Sequence, residues 1–351
     1  MTTIAMPPIA GQNTERGPSV PPKNAGFLQC VEADLARVEE KLIAETRSDV
    51  GAVRDISGHT LLSGGKRLRP MLALLAAHLI DRDAPSDRAY TAAAAAEMIH
   101  MATLMHDDVV DEAAERRGRP TANAVFGNGI TILTGDYLFA KAMQMVVSND
   151  DNLHVVRVFT NVVVGMAEGE VLQSAVAHDL EITLETYEDV IERKTARFLA
   201  GCCESGAIMG GGTNAEAASL RGYGHHLGMA FQIADDLLDF LGDPKRTGKP
   251  LGTDLRDGRV TLPLIHTMGA ADEATRKQLR DLLSHDHPDG ISDAQIAQVT
   301  AIIARYGGFE TARCVAEGRA ERAIAELAHF PRTVYHDALN ELARFVVARD
   351  K

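Results

Sequence analysis

The sequence predicts an all-α protein, a single large helical domain over residues 26–351, and three observations carry that prediction. Apolar residues recur at three- and four-residue steps from Phe27 to the C-terminus, the spacing that places side chains along one face of a helix. The apolar stretches are rich in alanine and leucine, both strong helix formers. No segment alternates with the two-residue period of a half-buried strand, and no internal repeat of fixed period is present.

Bulk composition narrows the function. With 45% hydrophobic and 24% charged residues among 351, the chain can bury a large core. Lys and Arg total 36 against 49 Asp and Glu, a formal charge of 36 − 49 = −13. That balance argues against nucleic acid as a partner, since duplex binding needs a basic face. It leaves room for an anionic small molecule, because local cations and metal ions can invert the field around a site. The four cysteines, Cys30, Cys202, Cys203 and Cys314, follow no zinc spacing, and the adjacent pair reads as small core filler in a reducing compartment. No apolar run reaches the ~18 residues of a membrane span. The N-terminus has neither the charged and apolar regions of a signal peptide nor the arginines of a transit peptide. A cytoplasmic protein is expected.

Taken in order, residues 1–25 are short of large apolar side chains and carry five prolines, which predicts a disordered tail. Leu28, Val31, Leu35, Val38, Leu42 and Ile43 then form one amphipathic helical face. Gly64-Gly65-Lys66-Arg67-Leu68-Arg69-Pro70 precedes an apolar helix over 71–80. Its glycines could cradle a phosphate through backbone N–H groups, although the spacing is not that of a P-loop. Lys66 and Arg69, three apart on the expected first turn, would face one way.

A long alanine-rich helix is predicted over 88–111, ending in Asp107-Asp108-Val109-Val110-Asp111. The first and last aspartates of this D-D-x-x-D run lie four apart and share a helix face. His100 projects from nearly the same side, seven residues earlier. Gly118 and Pro120 make a loop that carries Arg116-Arg117 just past the acidic face, and the planar guanidinium fork matches phosphate oxygens. Helices are expected at 127–148, 152–178 and 185–209, the last containing Lys194-Thr195. A helix over 215–242 carries a second D-D-x-x-D run, Asp235-Asp236-Leu237-Leu238-Asp239, preceded by Gln232. Residues 242–259, rich in Gly and Pro and basic through Lys249 and Arg259, read as a loop able to close on an anion. Amphipathic helices at 273–286, 291–306, 309–328 and 333–349 complete the chain.

Stacked carboxylates on an apolar helix repel one another unless cations lie between them. One such run could be a solvated acidic face. Two runs, each followed by basic residues, read as two walls of one Mg²⁺-diphosphate site.

Together, G-G-K-R-L-R-P, the two D-D-x-x-D runs, R-R-G, K-T, F-Q before the second run and G-K-x-x-G-x-D-L resemble the trans-polyprenyl diphosphate synthases. The resemblance runs from about Phe27 to the C-terminus, is nearest to the bacterial long-chain enzymes of octaprenyl type, and departs at no motif residue. It implies antiparallel helices around a central cavity, a homodimer, and about three Mg²⁺ per active site. By the same resemblance Asp107 and Asp111 would bind two Mg²⁺ with Asp108 in support, and Asp235 a third with Asp239 and Asp236 close by. Arg116, Lys194, Thr195, Gln232 and Lys249 would contact the allylic prenyl diphosphate and its incipient cation. Lys66, Arg69, His100 and Arg117 would hold isopentenyl diphosphate, and Arg259 would add a phosphate contact usually made by a lysine. The implied reaction is head-to-tail prenyl transfer, with the proton leaving to diphosphate and no protein base required.

Product length, on that resemblance, is set before the first motif. Short-chain members place an aromatic residue four or five positions ahead of the first aspartate, where this chain has Thr103 and Ala102. With Ile99 and Ala96 these make a stripe of about 10 Å at ~1.5 Å per residue. The expectation is a long product, C40–C50, for a quinone side chain; the same small residues would also serve close helix packing. A class I terpene cyclase would carry one D-D-x-x-D run and a second motif with Asn and Ser, and a regulatory subunit would lack one of the two runs. Both runs are intact.

Overall fold

A computed structural model of the chain describes residues 26–81, 86–116, 118–148, 153–243, 250–284 and 290–348. The expected tail over 1–25, and the site residues Arg117 and Lys249, lie outside the described residues. The described chain is helical apart from a two-residue strand pair, as its periodicity requires.

The centre of the fold is α5, Asp87–Val110. Every residue from Ala89 to Ile99 is buried. A helix that is apolar all round must be surrounded, and α5 packs against α4 (Leu68–Ile80), α7 (Asn128–Val147) and α10 (Arg197–Met209). Alanine keeps these approaches close while favouring the helix. α4 is likewise buried from Pro70 to Leu79. The second long helix, α11 (Asn214–Leu241), starts at a capping box in which Thr213 and Glu216 satisfy each other's backbone N–H groups. Its first half joins the apolar cluster around α4 and α5. Its second half joins another cluster formed with α9 (Leu184–Ile191) and the C-terminal helices. Both aspartate runs therefore sit at helix C-terminal ends.

Several elements differ from the sequence expectation. The expected N-terminal helix is split into α1 (Gly26–Gln29) and α2 (Glu32–Glu45). Val38 and Leu42 face inward, while Ile43, 100° further round, is half exposed. Lys66 is not on a helical turn, because α4 begins at Leu68 and Arg67 adopts a left-handed backbone with φ 49°. The Arg67 guanidinium explains the bend. It donates to buried Glu97 on α5 at 2.7 Å, to Glu39 on α2, and to the carbonyl of Leu61 at 3.2 Å. These bonds offset the ~1–2 kcal/mol that a left-handed residue costs.

Helices α3 (Gly51–Leu62), α6 (Ala122–Phe126) and α13 (Leu262–Ala270) fill stretches where no helix was expected, and α12 (Thr253–Arg256) lies within the expected basic loop. Strands β1 (Glu115–Arg116) and β2 (Arg119–Pro120) form a hairpin where the sequence indicated only a loop. The C-terminal helices α14 (Glu273–Leu282), α15 (Asp293–Arg305), α16 (Gly308–Glu326) and α17 (Val334–Ala348) fall where expected.

The most consequential difference lies in 185–209. One continuous helix was expected there, but a π-helical turn, Glu192–Ala196, interrupts it between α9 and α10. The wider turn rotates Lys194 and Thr195 relative to a regular helix, and such turns concentrate at functional sites. Two glycines make room for it. A Cβ on Gly169 of α8 (Leu153–Ala175) would stand 2.9 Å from Arg193 Cβ and 3.0 Å from Lys194 N. One on Gly228 of α11 would stand 2.5 Å from Ala196 Cα.

Gly228→Ala should therefore destabilise the protein by ~1–3 kcal/mol, the usual cost of overpacking. Gly318→Ala, within α16 and with nothing near its added Cβ, should instead stabilise by about 0.5–1 kcal/mol. Denaturant unfolding of both variants checks the contrast, and a neutral Gly228→Ala would mean that the close approach is not needed.

Candidate active site

At the C-terminal end of α5, the three aspartates of the first run have different surroundings. Asp108 is buried, 5% exposed, and accepts from Arg116 Nε at 2.7 Å. Its carbonyl receives the Ala113 N–H at 2.9 Å and Asn123 Nδ2 at 3.2 Å. The middle aspartate thus fastens the β1 hairpin beneath the motif and fixes the Arg116 guanidinium. Asp107 is half buried, and burial pushes its carboxyl up to about 6 against the opposing charges of Lys194 and Arg116, with Glu170 and Asp111 adding repulsion. Asp111 lies at the helix end, exposed, 3.6 Å from Arg259.

The second run is differentiated in the same way. Asp236 is buried in the middle and accepts from Tyr187 Oη at 2.6 Å and Gln232 Nε2 at 3.0 Å. Burial and the neighbouring Asp254 push it up to about 8, with those two hydrogen bonds opposing. Asp239 binds the start of α12, with one carboxylate oxygen accepting the Thr253 N–H and the other the Asp254 N–H, each at 3.1 Å. A carboxylate at a helix N-terminus complements the exposed N–H groups there. Asp235 shares the helix end and adds its charge to that felt by Asp236.

Cations bridge the two walls. Lys194, on the π turn, donates to Gln173 at 3.3 Å and pairs with Glu170 at 2.6 Å, both on α8. Arg259 reaches Asp254 at 3.5 Å, Asp257 at 3.7 Å and Asp111 at 3.6 Å, so it ties the segment after the second run to the end of the first. Burial works against its charge, but Asp254, Asp257, Asp111 and Glu170 outweigh burial and hold it protonated. Thr195 donates to Gln232 Oε1 at 2.9 Å. Lys194, Gln232, Asp236, Asp254 and Arg259 line one pocket of about 100 Å³ with apolar walls from Val176, Ile182 and Val190.

The structure thus brings Lys194, Gln232, Asp236 and Arg259 to one pocket, with Thr195 bonded to Gln232, Asp111 paired with Arg259 and Asp107 within the field of Lys194. Asp235 and Asp239 share the end of α11 but do not line that pocket. Arg69, on the first turn of α4, lies over the Phe198 ring at 4.7 Å. The ion pair of Arg67 with Glu97, three residues before His100, docks the segment bearing Lys66 against the same stretch of α5. Ala96, Ile99 and Ala102 are fully buried, so the expected open stripe is closed in this structure: their small side chains let neighbouring helices pack tightly on α5. Thr103 is half buried and donates its hydroxyl to the His100 carbonyl at 2.8 Å.

Sequence reasoning assigned no role to Glu170, Gln173, Tyr187 or Asp254. Asp254 stood within the quoted G-K-x-x-G-x-D-L segment, and Glu170 and Gln173 lie three apart on one face of α8, which was the available signal. Tyr187 carried none.

Carboxylate donors suit Mg²⁺, a hard cation that takes few protein ligands and keeps several waters. Among the described residues no three His, Cys, Asp or Glu gather closely enough to enclose a metal ion. The described cysteines are free, and Cys202 and Cys203 are buried filler, as expected.

The profile of the polyprenyl synthetase family matches residues 51–302. The octaprenyl diphosphate synthase of Escherichia coli strain K12 is 39% identical over 318 residues, 91% of this chain and 96% of that one. A short chain isoprenyl diphosphate synthase of Methanothermobacter thermautotrophicus is 36% identical over 321 residues, covering 90% and 96%. Among solved structures, a Caulobacter crescentus polyprenyl synthase complexed with calcium and isoprenyl diphosphate superposes with a TM-score of 0.85 at 34% identity, covering 94% of this chain and 100% of that one.

The raised carboxyls set a pH dependence. An unfolded aspartate titrates near 4. Each raised group thus contributes stability that is complete below about pH 4 and is lost as pH climbs through about 6 for Asp107 and about 8 for Asp236. In cation-free buffer Asp107→Asn should melt above the parent at pH 8 and level with it at pH 4. Added Mg²⁺ should raise only the parent's melting temperature strongly at pH 8; equal melting curves throughout would remove the burial argument.

Proposed function

We propose, because the chain belongs to the polyprenyl synthetase family and is a prenyltransferase, that it adds isopentenyl diphosphate head-to-tail to an allylic diphosphate such as farnesyl diphosphate. The product is a long-chain all-trans polyprenyl diphosphate, C40–C50, destined for a quinone side chain. The observation that carries this reading is the contact of Arg259, on the segment that follows the second aspartate run, with Asp111 of the first.

Asp107, Asp111 and Asp235, with Asp239, would hold Mg²⁺. Once bound with the diphosphate it would stabilise negative charge on the leaving oxygens. Lys194 and Arg259 add fixed cations there, and Arg116 is oriented for the same task by Asp108. The allylic C–O bond breaks with its electron pair going to diphosphate. Thr195 and Gln232 turn oxygen atoms toward the carbon that becomes positive. The double bond of isopentenyl diphosphate supplies the electrons for the new C–C bond, and the proton lost in restoring a double bond goes to the departing diphosphate. Lys66, Arg69, His100 and Arg117 would anchor the isopentenyl diphosphate, and Lys249 the allylic one.

Small residues at Ala102 and Thr103 support a long product. The stripe is packed in the present state, but Met98, Met101 and Met105 on the same helix are flexible side chains able to repack around a growing chain. Exposed Leu133 on α7 and Val164 and Val171 on α8 support a homodimer through those helices. No described helix is long and apolar enough to cross a membrane, in keeping with a cytoplasmic enzyme.

Purified protein with Mg²⁺, farnesyl diphosphate and isopentenyl diphosphate should give a dominant C40–C50 diphosphate by mass spectrometry, and light scattering should read twice the chain mass. Products of C15–C20 would leave the reaction standing and replace the chain length. No consumption of substrate would point to a non-catalytic subunit. Asp107→Ala should lower turnover by at least ~10²–10³-fold, the usual loss for one preorganised electrostatic group. Ala102→Phe should shorten the product, and an unchanged product distribution would remove α5 from length control.

A further inference from the structure

Outside the residues assigned above, one buried hydrogen-bond chain leads directly into the cleft. Tyr187 on α9 donates its hydroxyl to Asp236 Oδ2 at 2.6 Å. Gln232 donates Nε2 to Asp236 Oδ1 at 3.0 Å, and Thr195 donates its hydroxyl to Gln232 Oε1 at 2.9 Å. Tyr187 and Asp236 are each 4% exposed, so water does not compete for the bond between them.

We infer that Tyr187 is a positioning residue for prenyl transfer: by holding Asp236 it decides which end of the Gln232 amide faces Thr195 and the cleft. This rests on the prenyl-transfer reading of the site.

The argument is one of donor and acceptor inventory. In the structure both Asp236 oxygens accept, Oδ2 from the Tyr187 hydroxyl and Oδ1 from the Gln232 amide. An amide has one donating and one accepting end. With its NH₂ group committed to Asp236, Gln232 must present its carbonyl oxygen to Thr195. Thr195 has a single hydroxyl proton and gives it to that oxygen, which leaves its own lone pairs for the cleft. Every proton in the chain therefore points toward Asp236, and the Thr195 oxygen is left as its accepting end on the side away from Asp236. Removing the tyrosine hydroxyl frees Asp236 Oδ2, lets the carboxylate turn about its last torsion, and allows the amide to reverse. A reversed amide would aim N–H groups at a developing cation, and the barrier would rise.

Tyr187 also packs in the apolar cluster behind α11. Tyr187→Phe keeps that ring and removes only the hydroxyl. The expected result is a kcat about tenfold lower, the loss of roughly one buried hydrogen bond, with KM for both substrates and the melting temperature nearly unchanged. The double-mutant cycle with Gln232→Leu separates positioning from packing. If Tyr187 acts through Gln232, Tyr187→Phe should cost less than twofold in the Gln232→Leu background. A kcat within twofold of the parent for the single variant, or additive effects in the cycle, would overturn the inference. A parent enzyme that transfers no prenyl group would instead overturn the reading on which it rests, and this inference with it.

Discussion

The structure depends on compensating negative charge gathered at the ends of two buried helices. α5 and α11 each end in three aspartates, and the packing that buries their apolar stretches brings the acidic ends toward one cleft. In such surroundings carboxylates repel, and the buried middle ones have little water to screen them. The middle aspartates are held locally, Asp108 by Arg116 and Asp236 by two donated hydrogen bonds. At the first run the outer ones face Lys194 and Arg259, and at the second Asp239 accepts two backbone N–H groups of α12. Negative charge so concentrated favours whatever cations lie nearest to it.

Helix packing decides where those cations sit. Gly169 and Gly228 admit the backbone of the π turn between α8 and α11, and the turn delivers Lys194 to one wall and Thr195 to the other. A regular helix through 185–209 would rotate both away. The same economy of side-chain volume operates around α5, where alanines bring α4, α7 and α10 close and so carry the first aspartate run to its place. Arg67 is the corresponding staple for the segment at 64–70, since its ion pair with Glu97 ties that loop to the central helix.

The two runs use one arrangement twice. In each, the middle aspartate turns inward to anchor neighbouring structure. At the first run it holds the β1 hairpin, and at the second the α9 tyrosine. The outer aspartates are left at the cleft, although Asp239 also organises the segment that carries Arg259 by capping α12. A D-D-x-x-D run thus combines an inward anchor with outward carboxylates in five residues, divided by which side of the helix each occupies.

Helical periodicity determined the fold class and the ends of most long helices, because a 3.6-residue apolar pattern specifies which face must be buried whatever it meets. The two acidic runs and the cations that follow them were likewise legible, since charge on an apolar helix needs a physical reason. Tertiary structure alone decided the rest. The π turn has no periodic signature and exists because two glycines on other helices make space for it. The left-handed Arg67, which removes Lys66 from the first turn of α4, answers to partners 28 and 30 residues away in the chain. Tyr187 reads as an ordinary core aromatic until folding sets its hydroxyl against a carboxylate 49 residues later. Local pattern encodes which faces are buried; the identity of the partner across the interface is a property of packing, and that is where the site's geometry was set.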